Sequence, residues 1–228
     1  MRENLIIVRS GPNSRHPQWL EGDPDRSWDL LLCPYKSIPL KDALALGDIG
    51  ISRVQPGLKW TGIRALFADW PFKKYDWHDY NYIVIADDDL QVAPGTWTRF
   101  FKLCEDNYAA LAAPALTIGS VASHPITVQQ APTGARRTTF VEVMTPCFRT
   151  DVWEGMLPTL AETPSGIGWG LDYVWAKLLG YKDIFVMDET PVVHSRPSNN
   201  SPATSKAGFA EMQAMMQKYQ ALPMEKNL

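Results

Sequence analysis

Three consecutive carboxylates, Asp87, Asp88 and Asp89, are the residues whose types and spacing most clearly predict chemistry in this chain. They follow an apolar, β-branched run at residues 82–86, which favours a short buried strand over a helix. Adjacent carboxylates repel one another and require nearby positive charge, and their oxygens suit hard ions such as Mg²⁺ or Mn²⁺. The pattern therefore predicts a strand that ends at a metal-binding loop, with a solvated acidic turn as the alternative.

The elements that must position these acids alternate between strands and helices. Strands are predicted at residues 5–8, 28–33, 82–86, 109–116, 139–144, 184–187 and 191–194. Helices are predicted at 40–46, at 59–70, from 95 onward, at 150–160, from the 164–172 loop to Gly180, and at 209–222. This alternation predicts one α/β domain of three layers, α/β/α, with a mixed, mainly parallel central sheet. In such sheets ligands bind beyond the carboxyl ends of the strands, where the three acids lie.

Length and composition agree with one globular domain. The chain has 228 residues, 45% hydrophobic and 21% charged, with a net charge of −3. That charge implies no general attraction to nucleic acid or to anionic lipid. The three cysteines are scattered without a C-x-x-C pair, which argues against a disulfide framework and against structural zinc. The apolar run at 5–8 is too short for a signal peptide and no run could span a membrane, so we expect a cytoplasmic protein.

Two further residues could act together with the acids. His194 follows the short apolar stretch at 191–193, where a ligand at a strand end would lie, although a structural or solvated histidine is the alternative. Asp172 lies in the first turn of a predicted helix, where compensation of the helix dipole is its alternative role.

A glycine-rich run, Gly166-Ile167-Gly168-Trp169-Gly170, directly precedes Asp172. A helix needs no such run before it, whereas a backbone that approaches a substrate closely does. Within the run, Trp169 could offer a flat apolar face to a sugar ring or could simply fill the core. The run therefore predicts a substrate-facing loop.

These motifs resemble those of the glycosyltransferase-A group, in which a D-x-D motif after a strand holds a metal and a nucleotide-sugar. More locally, the chain resembles a family of uncharacterised glycosyltransferase-like proteins. The shared segments are 86–89 (ADDD), 140–144 (FVEVM), 168–172 (GWGLD) and 193–194 (VH), in that order. The likeness runs from the first strand to His194, and residues 117–138 and the C-terminal tail match nothing in it. It implies a glycosyltransferase-A, Rossmann-like domain with a nucleotide-binding half (1–116), an acceptor-side half (117–194), and a mobile loop plus a C-terminal helix (195–228).

The resemblance also implies roles on the donor side. Asp89 would bind a divalent cation, Mn²⁺ or Mg²⁺, with His194 as a further metal or pyrophosphate ligand. Asp87 would approach the nucleoside, and Asp88 would face the ribose or share the metal. The remaining donor contacts would come from three residues near strand ends or helix starts: Ser10, Gly11 and Lys59.

On the acceptor side, the resemblance implies that Asp172 is the general base. Glu142 and Trp169 would contact a saccharide or glycoconjugate acceptor. The implied activity is metal-dependent transfer of a hexosyl or related sugar from a nucleoside diphosphate sugar, with UDP as the first choice of nucleotide. One well-placed base suits inversion, although sequence leaves retention open.

Three alternatives belong to other classes. A haloacid-type phosphatase needs Thr or Val two positions after the second acid, where this chain has Leu90-Gln91. A sugar nucleotidyltransferase needs a Gly-rich, Arg-containing N-terminal loop that is absent here. A catalytically inactive nucleotide- or sugar-binding module of the same fold stays open, as do the donor base, the sugar and the acceptor.

Overall fold

The computed structural model describes residues 1–37, 50–197 and 200–228. Its strands are β1 (Asn4–Ser10), β2 (Trp28–Pro34), β3 (Gly50–Ile51), β4 (Tyr82–Asp87), β5 (Leu90–Gln91), β6 (Leu111–Leu116), β7 (Arg136–Arg137), β8 (Cys147–Arg149) and β9 (Ile184–His194). Its α-helices are α1 (Lys59–Ala68), α2 (Thr96–Asp106), α3 (Thr150–Met156), α4 (Leu171–Leu178) and α5 (Pro202–Tyr219). The helix predicted at 40–46 lies outside the described residues.

The strands form one mixed sheet in the order β3-β2-β1-β4-β8-β6-β9-β5, with β7 added against β9. The longest ladders are parallel: β1 pairs with β2 and with β4, and β6 pairs with β9. β8 lies between β4 and β6 and is antiparallel to both. The predicted mainly parallel α/β sheet is confirmed.

Successive side chains of the central strands pack alternately into two separate apolar cores. Leu5 and Ile7 of β1 belong to one buried cluster, and Ile6 and Val8 to the other. Side chains alternate between the two faces of a strand, so a strand covered on both faces is apolar at every position. This double burial explains why the apolar run at 5–8 shows no polar alternation.

Helices cover both faces and complete the three layers. Trp60 of α1, Trp153 of α3 and Trp175 of α4 pack in the first cluster, whereas Trp97 and Phe100 of α2 pack in the second. All five rings are essentially buried. Tryptophan therefore contributes to the core on both sides of the sheet.

The strand predicted at 139–144 is wrong. Phe140 and Val141 are fully buried, which accounts for the apolar pattern, but this segment forms no ladder with the sheet. Instead, Thr139 exchanges hydrogen bonds with Lys226 of the C-terminal tail, and the position beside β4 is taken by β8. The strand-like apolar pattern at 139–144 therefore reflects the burial of these side chains and not strand pairing.

Two boundaries near the C-terminus also differ from the predictions. The strands predicted at 184–187 and 191–194 form one continuous strand, β9. The predicted loop at 195–208 ends early, because α5 begins at Pro202. Ser201 caps this helix by accepting a hydrogen bond from the backbone N–H of Thr204 at 3.1 Å. Serine at the N-cap and proline at the first helical position are start signals, although both residues are also typical of loops.

Candidate functional site

A cavity of about 470 Å³ lies at the carboxyl ends of the parallel strands, within the size range of small-molecule sites. Seven of the ten residues singled out from the sequence line it: Lys59, Asp87, Asp88, Asp89, Glu142, Trp169 and His194. Ser10, Gly11 and Asp172 do not belong to the lining that the described residues form. The fold therefore gathers residues from five distant segments around one space.

The first strand reaches the acids through its backbone. The parallel register of β1 and β4 sets Arg9 opposite Asp87. The backbone N–H of Gly11 donates to Oδ2 of Asp88 at 2.8 Å, and the Tyr35 hydroxyl lies 3.4 Å from the same oxygen. Burial raises the pKa of Asp88 to about 6. Asp88 thus ties the loops after β1 and β2 to the edge of the cavity, and Ser10 is fully buried.

Lys59 neutralises one of the three acids. Its ammonium lies 2.9 Å from Oδ1 of Asp87 and donates to the carbonyl oxygens of Val143 and Met144 at 2.9 and 2.5 Å. Burial lowers the pKa of Lys59, and the charge of Asp87 opposes that effect. We predicted Lys59 as a donor contact, but its observed contacts hold Asp87 and the 143–144 backbone. Part of the positive charge that the acids require therefore comes from the protein itself.

Asp89 and His194 are brought together by a short antiparallel ladder. The β5–β9 register pairs Leu90 with His194, which places the imidazole next to the preceding residue, Asp89. Nδ1 of His194 donates to the carbonyl of Val121 at 2.7 Å, and Nε2 lies 3.5 Å from Oδ2 of Asp89. The contact with Asp89 raises the pKa of His194 to about 9. Burial would raise the pKa of Asp89, but His194 holds it below its usual value.

The donor set fits a cation that binds together with a diphosphate. Within the described ranges, no group of three His, Cys, Asp or Glu side chains forms a ready-made metal cage. Asp89 and His194 provide two ligands, and Oδ1 of Asp89 is buried without a hydrogen-bond partner in the described part of the chain. Mg²⁺ is typically held by one or two carboxylates, with substrate phosphates and water completing its shell. The two residues therefore suit a shared, substrate-completed site.

The two acids predicted for the acceptor side, Glu142 and Asp172, lie at different depths. Glu142 lines the cavity, and its buried Oε2 has no hydrogen-bond partner among the described residues. Asp172 is 4% exposed, and its Oδ1 accepts the backbone N–H of Tyr173 at 3.0 Å. Burial raises the pKa of both groups, that of Asp172 to about 7, and the charge of Glu142 adds to the effect on Asp172. Glu142 therefore faces the cavity, whereas Asp172 lies away from the lining.

The glycine-rich run serves helix packing as well as the cavity. Gly168 has φ +82°, and a Cβ there would lie 2.1 Å from the Trp60 ring of α1. A Cβ on Gly170, at φ +94°, would lie 3.0 Å from Met212 of α5. Gly166 and Trp169 do line the cavity. The requirement for glycine at 168 and 170 therefore comes from neighbouring helices rather than from a substrate.

The cavity residues that the sequence did not single out include Arg9, Tyr35 and Arg196. Arg9 is buried and donates to the carbonyl oxygens of Cys33 and Gly57 at 2.9 and 3.0 Å. A charged residue inside the apolar first strand was the available signal. Arg196 donates to the carbonyl of Asn13 at 3.1 Å, and this pairing between distant segments left no local signal.

Nothing in the described part of the chain forms a helix with the length and apolar character needed to cross a bilayer.

Comparison with known proteins identifies the fold through solved structures. No family model and no curated protein sequence matches the chain. A crystal structure of S. aureus TarS 1-349 matches with a TM-score of 0.56 and 10% identity, covering 96% of this chain and 72% of that one. The same TarS fragment in complex with UDP-GlcNAc matches with a TM-score of 0.59 and 12% identity, covering 96% of this chain and 66% of that one. Its complex with UDP matches with a TM-score of 0.58 and 13% identity, covering 95% of this chain and 65% of that one. At these identities the likeness concerns the fold alone, and it agrees with the predicted α/β architecture with a mixed, mainly parallel central sheet.

Proposed function

We propose that this chain is a glycosyltransferase that takes a sugar from a nucleoside diphosphate sugar, with a UDP-sugar as the donor. The observation that carries the proposal is the cavity at the carboxyl end of β4, where three consecutive carboxylates meet His194. Support comes from the fold shared with TarS, which has been solved with UDP and with UDP-GlcNAc. The acceptor is a hydroxyl of a saccharide or glycoconjugate, and the site of action is the cytoplasm.

The donor occupies the side of the cavity formed by β1, β2 and β4. Ser10 ends β1 and Gly11 follows it; neither lines the cavity, but Gly11 contacts the lining residue Asp88 through its N–H. Asp87 and Asp88 face the nucleoside and ribose, with Asp87 held in place by Lys59 at 2.9 Å. This ion pair positions the Asp87 carboxylate without any contact from the ligand.

Asp89 and His194 hold Mn²⁺ or Mg²⁺ on the diphosphate side. When bound, the cation supplies charge neutralisation for the leaving diphosphate, an effect worth several kcal/mol in the transition state. The chain contributes the orientation of both ligands. Val121 fixes the histidine ring through Nδ1, so that Nε2 is directed to the Asp89 side. A backbone partner of this kind is common behind metal-binding histidines.

The acceptor side needs a base for the attacking hydroxyl. The sequence predicts Asp172, but the geometry favours Glu142 as the group that contacts the acceptor, because Glu142 lines the cavity and Asp172 does not. Trp169 offers an aromatic surface in the same lining. A single base on the face opposite to the leaving group supports inversion of the anomeric centre.

Release of UDP from UDP-GlcNAc tests the proposal, with water as the acceptor until a better one is found. The full chain with Mn²⁺ is expected to release UDP above the rate of the uncatalysed control, and addition of EDTA is expected to abolish the difference. A chain that binds UDP but never turns over UDP-sugars, with saccharide acceptors included, would instead be an inactive binding module of the same fold.

A further inference from the structure

The C-terminal helix α5 packs against residues that line the cavity. A Cβ on its Gly208 would lie 2.3 Å from Cγ2 of Ile167 and 3.2 Å from Cε3 of Trp169. Ile167 and Trp169 line the cavity together with Gly166, and we call these three residues the loop wall. Glycine at 208 therefore lets α5 come into direct contact with the loop wall.

A carboxylate of α5 accepts three hydrogen bonds from the segment that leads into the loop wall. Oε1 of the half-buried Glu211 accepts the backbone N–H of Ser165 at 2.9 Å. Oε2 accepts the hydroxyl of Ser165 at 2.6 Å and the hydroxyl of Thr163 at 3.1 Å. Hydrogen bonds to a carboxylate are stronger than those between neutral groups. Glu211 therefore anchors residues 163–165 to the helix.

The same two hydroxyl groups hold the backbone of the loop wall. Oγ of Ser165 accepts the N–H of Ile167 at 3.3 Å, and Oγ1 of Thr163 accepts the N–H of Gly168 at 3.0 Å. Each hydroxyl thus donates to Glu211 and accepts from the loop. Two continuous chains of hydrogen bonds therefore connect Glu211 to the backbone at 167 and 168.

We propose that Glu211 is a positioning residue for sugar transfer. By holding Ser165 and Thr163 it fixes the loop wall, and it thereby sets the position of Trp169 next to the acceptor. The inference rests on the proposed glycosyltransferase function, in which Trp169 contacts the acceptor. It adds to that function a residue of α5 that is not among the described residues lining the cavity.

A fixed loop wall matters because sugar transfer requires the attacking oxygen and the anomeric carbon to lie in a narrow range of positions. Glu211 contacts neither reactant and moves no proton. Its removal should therefore disturb the orientation of the reactants, and with it kcat. The affinity for UDP should be unaffected, since it depends on the three acids after β4 and on His194.

The test measures UDP release from UDP-GlcNAc in Mn²⁺, with water as the acceptor. Glu211→Ala is expected to lower kcat by about 10-fold or more, because misplacement caused by a change far from the chemistry can cost about 10²-fold. The affinity for UDP, measured by calorimetry in Mn²⁺, should change by less than about twofold. A role limited to stability would lower the melting temperature and leave the kcat of the folded variant unchanged.

Two variants serve as controls. Glu211→Gln keeps an oxygen that can accept the N–H of Ser165, so it is expected to retain most of the wild-type kcat. Lys218→Ala removes another ion pair of α5, the one with Glu162, and should leave kcat near wild type because neither residue is among those described as lining the cavity. A kcat in Glu211→Gln as low as in Glu211→Ala, or an equal loss in Lys218→Ala, would overturn the positioning role.

Hydrogen exchange tests the restraint independently of turnover. The amide hydrogens of Ile167 and Gly168 are expected to exchange faster in Glu211→Ala than in the wild-type chain or in Lys218→Ala. Exchange at wild-type rates in Glu211→Ala overturns the positioning role, whether or not the chain turns over UDP-GlcNAc.

The arms distinguish this inference from the proposed function. A wild-type chain that shows no turnover contradicts the proposed function itself. A wild-type chain that turns over, together with a folded Glu211→Ala variant within about twofold of it, overturns the positioning role alone. If Glu211→Ala does not fold, Ser165→Ala decides, because it removes the hydroxyl between Glu211 and Ile167, and an unchanged kcat overturns the positioning role.

Discussion

Replacement of Glu142 by Gln is expected to lower the turnover of a UDP-sugar by about 10²-fold or more, the usual contribution of a general base. Gln keeps the size of the side chain but cannot accept a proton at the operating pH. UDP affinity should stay near wild type, because Glu142 lies on the acceptor side of the cavity. The measurement is UDP release at saturating UDP-GlcNAc, with UDP binding measured separately by calorimetry.

The pH dependence of turnover in the wild-type chain should also depend on the ionisation of Glu142. Burial raises the pKa of Glu142, and the base is active when ionised. Turnover should therefore fall as the pH drops through a value above that of an ordinary glutamate. The acidic limb should disappear from the residual activity of Glu142→Gln.

Asp172→Asn is the matched comparison, because the side-chain oxygen can still accept the N–H of Tyr173. We expect a smaller loss of turnover than in Glu142→Gln, since Asp172 does not line the cavity. The opposite ranking, a loss of about 10²-fold in Asp172→Asn with near wild-type turnover in Glu142→Gln, would restore Asp172 as the base that the sequence predicts.

Asp89→Ala is expected to remove the metal-dependent part of UDP affinity, a loss of at least about 10- to 100-fold in the presence of Mn²⁺. We expect this loss because Oδ1 of Asp89 is buried and has no hydrogen-bond partner among the described residues. In addition, Nε2 of His194 lies next to the Asp89 carboxylate. His194→Ala should act in the same direction. Calorimetric titration of UDP with and without Mn²⁺ measures both variants.

Asp106→Ala serves as the control for loss of one acidic charge. Asp106 lies at the end of α2, pairs with Lys102 on the helix surface, and does not line the cavity. UDP affinity should be unchanged in this variant. If Asp89→Ala retained the full difference between Mn²⁺ and EDTA, the metal assignment would be wrong.

Local sequence was sufficient to predict the centre of the fold and the acids. The apolar runs of β1 and β4 are buried on both faces, so every residue carries the same signal. Asp87, Asp88 and Asp89 follow such a run directly, and their place at the carboxyl end needs no tertiary information. The parallel order of the central strands then follows from the alternation of strands and helices.

Long-range pairings explain what the sequence could not predict. Lys59 reaches Asp87 and the 143–144 backbone from another element, and His194 meets Asp89 because β5 and β9 pair in antiparallel register. Glu211 and Ser165 are 46 residues apart in the sequence, and no local pattern marks their contact. The hydrophobic pattern of a sequence predicts which residues are buried, but it does not predict which polar side chains contact one another.

Calorimetric titration of UDP into the wild-type chain, in Mn²⁺ and then in EDTA, tests the central claim most directly. Four carboxylates line the cavity, so a cation between them and a diphosphate is expected to strengthen its binding. The account predicts saturable one-to-one binding in Mn²⁺ that weakens strongly in EDTA. Absence of binding by UDP and by GDP in both conditions would contradict it.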